Sequence, residues 1–182
     1  KSNVIREQVE TREVSQSVLQ LGYYFPTRYF DEDYATLLVF NGLFGGFSHS
    51  RLFEELREKE GLAYTIGSCF DIYTGLLNVY AGIDAENQMK VLKLINKQLS
   101  HLKSGRFSET FLNRTKELIK TNVVLSGDSP KATIERVYND YHGIDSRGVD
   151  TLVKEVDNVC KADVVAYSKE IALQALYFLE GK

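Results

Sequence analysis

The feature that most constrains this sequence is a change of hydrophobic period partway along it. From Leu62 to Phe70 the apolar residues recur at every second position, so Leu62, Tyr64, Ile66 and Phe70 fall on one face. A turn at Thr74-Gly75 then leads into a second apolar run, Leu76 to Ile83. Two such runs joined by a short glycine-containing turn read as an antiparallel strand pair. Beyond it the spacing lengthens to three and four. Val91, Leu92, Ile95, Leu99 and Leu102 mark one stripe of a helix over Gln88 to Leu102.

The flanking regions follow the same logic. Val14 to Phe25 alternates and stops at Pro26, which reads as a strand. From Asp31 the pattern turns helical, and Leu37, Leu38, Val39 and Phe40 make that helix apolar nearly all round, which predicts burial. Asn41-Gly42 and Gly45-Gly46 punctuate it. A second helix is expected to start with Ser48 as its cap, bury Leu52, Phe53 and Leu56, and end at Gly61. Ser108 is placed to cap a helix through Phe111, Leu118 and Ile119. Ser129-Pro130 opens another that should end near Gly143. Two short helices near Val149–Val156 and Ala162–Ala172 and a last strand near Ala175–Leu179 complete the order. Strands and helices are segregated, which predicts an α+β fold: a largely antiparallel sheet with helices packed on one face.

The chain has 182 residues, 43% hydrophobic and 26% charged, with a net charge of −3. It reads as one domain over residues 1–182 with a core of its own. No basic run stands out, which argues against nucleic acid or an anionic membrane as partner. No apolar stretch approaches the ~20 residues of a membrane helix. Cys69 and Cys160 match no zinc or redox spacing and are expected to be reduced core thiols, in keeping with a cytoplasmic setting. The opening Lys1-Ser2-Asn3 reads as the middle of a longer protein.

Catalytic signatures are missing from the sequence. The histidines are His49, His101 and His142, and neither H-E-x-x-H nor H-x-x-E-H occurs. Three unrelated surface or loop histidines are the simplest account. There is no P-loop and no G-x-S-x-G, and Gly42, Gly45 and Gly46 fit a turn between helices better than a phosphate cradle. The expectation is therefore a domain that binds no metal or cofactor and is not catalytic alone. Phe47, Phe70 and Tyr73 are aromatics that could line a channel or serve as core.

One segment is distinctive: Gly45-Gly46-Phe47-Ser48-His49-Ser50-Arg51-Leu52-Phe53-Glu54-Glu55-Leu56-Arg57-Glu58-Lys59-Glu60-Gly61-Leu62-Ala63-Tyr64. A glycine pair, a serine-rich helix start, Leu-Phe and then Arg-Glu-x-x-Gly-Leu-x-Tyr resemble the C-terminal, zinc-free domain of the M16 metallopeptidases. That is the insulinase and pitrilysin family, which includes the mitochondrial processing peptidases. The resemblance implies a half-domain of an enclosed chamber. Zinc would sit in the missing N-terminal half or in a homologous M16 subunit, and an extended peptide would be the substrate. It also implies that Arg57 and Tyr64 bind substrate, matching an Arg and a Tyr seven residues later that reach toward the peptide. An Arg offers fixed N–H donors to a carbonyl and a Tyr one hydroxyl. Each also has a plain structural account. Arg57 near a helix C-terminus suits the helix dipole, and Tyr64 on the apolar face of its strand suits a core. The resemblance leaves two parents open: a zinc metalloendopeptidase, or a non-catalytic scaffold that pairs with an active homologue.

Overall fold

The structure, a computed structural model, describes residues 5–28, 31–127 and 148–181. Five strands form one sheet: β1 (Arg6–Arg12), β2 (Ser17–Tyr24), β3 (Ala63–Asp71), β4 (Leu76–Ile83) and β5 (Ala172–Gly181). Their order across the sheet is β1-β5-β2-β4-β3. β2 runs antiparallel to both β4 and β5, and β3 antiparallel to β4, while β1 lies parallel to β5. The expected hairpin over 62–83 is present, turning at Gly75, whose φ of 68° suits glycine.

Alternation explains why these residues pair this way. Leu19, Leu21 and Tyr23 of β2, Leu77, Val79, Ala81 and Ile83 of β4, and Leu176 and Phe178 of β5 all point to one side and are buried. Helix α1 (Tyr34–Asn41) covers that side with Leu37, Val39 and Phe40. Burying a leucine fully is worth about 2 kcal/mol, so this single face supplies much of the drive to fold. Helices α2 (Gln88–Lys103) and α3 (Glu109–Gly127) bury Val91, Ile95, Leu99 and Leu102, and Leu112 and Ile119, at helical spacing. Short helices α4 (Val149–Asn158) and α5 (Lys161–Glu170) pack on α3 and on α1 and α2. Ser108 Oγ accepts the N–H of Phe111 at 3.1 Å, capping α3 as expected. The helix expected from Ser129 lies outside the described residues.

Several expectations are corrected. Strand β1 was not anticipated, because Arg6-Glu7-Gln8-Val9-Glu10-Thr11-Arg12 has no apolar alternation. It is held instead by β5, with Tyr177 donating to Glu10 at 2.7 Å and Thr11 to Glu180 at 3.1 Å. The glycine pair does not break the first helix. The chain continues from α1 into a π-helical turn, Gly42–Gly46. The next helix begins at Ser50 rather than Ser48. The Ser50 carbonyl accepts the Glu54 N–H, while its hydroxyl accepts from the Phe47 N–H and donates to the Gly42 carbonyl. From Phe53 to Lys59 that helix is also π-wound. The two cysteines are exposed rather than core. Cys69 pairs with Asn78 on the side of the sheet away from the helices, and Cys160 stands at the start of α5.

Candidate functional site

The two residues singled out by sequence flank Gly61. The Phe53–Lys59 helix ends where Gly61 takes φ 61°, and the Leu62 N–H returns to the Leu56 carbonyl at 2.8 Å. Arg57 lies exposed in its last turn, with its guanidinium over the Phe53 ring at 5.0 Å. Lys90 of α2 ties down the helix end through an ion pair of 3.0 Å to Glu60.

Tyr64 is placed by an irregularity. Ala63 pairs with Ile83, but the next pair is Thr65 with Gly82, so Tyr64 is the extra residue of a bulge. Regular alternation would have put it beside Ile66, facing the core. The bulge turns it outward instead, 57% exposed. Its hydroxyl donates to both carboxylate oxygens of Asp84, at 3.0 and 3.2 Å. That hydrogen bond and the nearby negative charge hold the phenol above its ordinary titration range. Arg57 and Tyr64 therefore both face solvent, and each is held by a different partner, Phe53 and Asp84.

Asp84 was not singled out from sequence. It directly follows β4 and would be read as the cap of the short 3₁₀ turn Ala85–Asn87. Its carbonyl does accept the Asn87 N–H at 3.0 Å, but its carboxylate makes no cap bond and turns to Tyr64. The strand pairing was the available signal, since joining Ala63 to Ile83 in antiparallel leaves Tyr64 and Asp84 as diagonal neighbours flanking that pair.

The other aromatics divide. Phe70 packs edge-on against Phe25 and Tyr34, at 6.0 and 6.4 Å. Phe47 stacks on His49 at 5.4 Å, whereas Tyr73 stands at the hairpin tip, 96% exposed. A row of residues crosses, in register, the face of the sheet that no described helix covers: Gln8, Tyr177, Gln20, Tyr80 and Gly67. A Cβ on Gly67 would meet the Tyr80 hydroxyl at 2.5 Å, so the tyrosine lies across the glycine.

His49 Nε2 lies 2.9 Å from Thr115 Oγ1, and the ring packs edge-on against Phe111 at 5.7 Å. Because Thr115 donates to the Phe111 carbonyl at 3.0 Å, its oxygen is free to accept, which assigns the proton to Nε2. Burial first, and Arg114 second, depress the titration of His49. His101 is depressed by burial and by Arg106, Arg51 and Lys97. Among the described residues no three His, Cys, Asp or Glu side chains come together in a way that could hold a metal ion. His142 lies outside them. Among the same residues no helix is long and apolar enough to cross a membrane.

A mostly antiparallel five-stranded sheet covered by helices, with Arg57 and Tyr64 exposed on either side of Gly61, defines an α+β domain. Residues 3–119 match the model of the peptidase M16 inactive domain, and the chain belongs to that family. It is 36% identical over 176 residues to a Bacillus subtilis protein named "Probable inactive metalloprotease YmfF", a match covering 97% of this chain and 41% of that protein. A crystal structure of a conserved protein from Enterococcus faecalis superposes with a TM-score of 0.95 at 36% identity, over 100% of this chain and 43% of that one. The peptidase M16 inactive domain of a Pseudomonas fluorescens protein shares the fold, with a TM-score of 0.79 at 16% identity over 98% of this chain and 44% of that one. The chain thus spans less than half the length of these relatives.

Proposed function

We propose that this domain is the zinc-free half of a two-part M16 module. It completes a chamber with its own N-terminal half or with a homologous M16 subunit, and it holds an extended peptide there. Zinc, and hence bond cleavage, belongs to the other half. The observation that carries this reading is Tyr64: a bulge in the edge strand β3 turns a large aromatic off the buried face and leaves it open to solvent on Asp84. Folding alone gives no reason to expose it. The sheet face that no described helix covers, with Tyr80 and Tyr177, supports the same reading, as a wall of aromatic surface for a peptide to lie against. Two exposed free thiols favour a reducing, cytoplasmic setting.

The test is made on the intact protein with Arg57→Ala and Tyr64→Phe. If the parent cleaves peptides, each variant is expected to lose up to about a hundredfold in turnover, the scale of one lost transition-state donor. Melting temperature should stay within error. A loss of stability that tracks the loss of turnover would make both residues structural and end the reading.

A second reading, a non-catalytic scaffold that pairs with an active homologue, is favoured by the "inactive" label on the Bacillus subtilis relative. There the same variants have no turnover to lose and instead weaken peptide retention or subunit pairing. Chelator-sensitive cleavage of a fluorogenic peptide library by the intact protein separates the two.

A further inference from the structure

We propose that the corner where the end of α2 meets the helix opening at Ser50 binds a phosphate-bearing small molecule, with pyrophosphate as its minimal form. Arg51, Lys97, His101 and Arg106 build it. They come from separate stretches of sequence, so no basic run announces them. Arg106 ties them together through its backbone. Its N–H donates to the His101 carbonyl at 2.8 Å, and its own carbonyl accepts Arg51 Nη2 at 2.5 Å. Lys97 precedes His101 by one turn on the same face of α2. Three fixed positive charges and an imidazole thus meet at one corner.

Nothing in the fold neutralises them. Elsewhere cations are paired: Arg12 with Glu10, Lys90 with Glu60, Lys120 with Asp157. Among the described residues no carboxylate lies within ion-pair distance of Arg51, Lys97 or Arg106. Glu55, the acid whose charge reaches His101, is paired with Lys59 at 3.5 Å. A cation near a helix C-terminus suits the helix dipole. Yet the last carbonyls of α2 are already taken by backbone, since the N–H groups of Ser104, Gly105 and Arg106 donate to Ser100, Leu102 and His101. Arg51 lies over the Phe111 ring at 5.3 Å, and its Nε is buried with no acceptor among the described residues. An orphaned donor is costly, and an oxyanion relieves that cost once the guanidinium turns to meet it.

Charge selects the ligand class. A carboxylate brings one negative charge to three cations. A phosphate monoester brings about −1.5 to −2 and three strong acceptor oxygens, and the planar fork of arginine can grip two of them at once. A second phosphate supplies the remaining charge. A nucleic acid would need a track of such contacts. Here the neighbouring helix carries Glu54, Glu55 and Glu58 instead.

The test uses the intact protein at constant ionic strength without divalent metal. Pyrophosphate binding is measured by calorimetry, and the His101 ring is titrated by NMR. Pyrophosphate is expected to bind and to raise the titration midpoint of His101, because its charge offsets that of the surrounding cations. Arg106→Gln and Lys97→Gln, both at exposed positions, are each expected to weaken binding about tenfold, the scale of one charge-assisted hydrogen bond. Lys154→Gln on α4 makes the same change of net charge away from α2 and should leave binding unaltered. Melting temperature confirms that each variant is folded, and either of the first two suffices. Equal weakening in all three variants, or a His101 midpoint that pyrophosphate does not move, overturns the proposal. A phosphoserine peptide that binds where pyrophosphate does not overturns it in favour of a protein partner.

Discussion

At the scale of single residues, a buried tyrosine and a half-buried histidine make opposite use of their polarity. Tyr23 is 1% exposed, and its hydroxyl has no hydrogen-bond partner among the described residues. Its ring packs edge-on against Phe44 at 6.4 Å, and burial pushes its phenol well above the usual range. An unpaired buried hydroxyl costs desolvation with nothing returned, so Tyr23→Phe is expected to be neutral or to stabilise by about 1 kcal/mol. Denaturant titration checks this, and a clear loss of stability would mean that the hydroxyl is bonded. His49 spends its polarity on Thr115 in a pocket of Phe47 and Phe111. Its folded-state titration lies below the unfolded value, so the folded protein binds its proton less readily than the unfolded chain. The contribution is therefore intact above about pH 6.5 and is lost as pH falls below it toward the folded-state value. Replacing His49 with Phe should flatten the fall in melting temperature over that window. His101, depressed for similar reasons, would leave a residual slope. An unaltered slope in the variant would show that His49 does not carry the effect.

At the scale of elements, the glycine turn after α1 shows what the sequence conceals. Gly42–Gly46 reads as punctuation, yet the helix runs through it, because glycine there admits close neighbours rather than ending the helix. A Cβ at Gly45 would lie 2.8 Å from the backbone nitrogen of Ser68 and 3.0 Å from Leu52 Cδ1. Backbone cannot swing aside as a flexible side chain can. Gly45→Ala is thus expected to cost about 1–3 kcal/mol and to lower the melting temperature, whereas a neutral result would show that the Gly42–Gly46 turn and β3 can separate freely. The same distinction governs what was legible beforehand. Helices α2 and α3 and the β3–β4 hairpin follow from period and turn chemistry, which are local. Strand β1 does not, since Val9 is its one strongly apolar residue and it is held through β5 and the Tyr177–Glu10 contact. Tyr64 is the instructive case. Its period-two neighbours placed it in the core, and a single inserted residue in the strand pairing reversed its face. The motif identified Arg57 and Tyr64 as residues of interest. It could not reveal Asp84, whose role depends on where its carboxylate turns once the turn has formed.

For the whole molecule, the question is where metal chemistry could reside. A zinc site needs three or four clustered His, Cys or carboxylate ligands. Here His49 is engaged with Thr115, and His101 sits among Arg106, Arg51 and Lys97, whose charge opposes a second cation as it opposes a proton. Cys69 lies in β3 and Cys160 at the start of α5, separate elements of the fold. The isolated domain is accordingly expected to retain well under one zinc per chain after dialysis, and to cleave no peptide when zinc is added back. Elemental analysis and a peptide-library digest measure both. About one zinc per chain, lost on mutating a histidine, would show a site built partly from residues outside those described, and would assign chemistry to this half. With the domain metal-free, the zinc content of the intact protein distinguishes the two parents. Stoichiometric zinc with chelator-sensitive cleavage makes this chain the peptide-holding half of a peptidase. Zinc-free protein that still retains peptide through Arg57 and Tyr64 makes it a scaffold that has kept the binding face and given up the reaction.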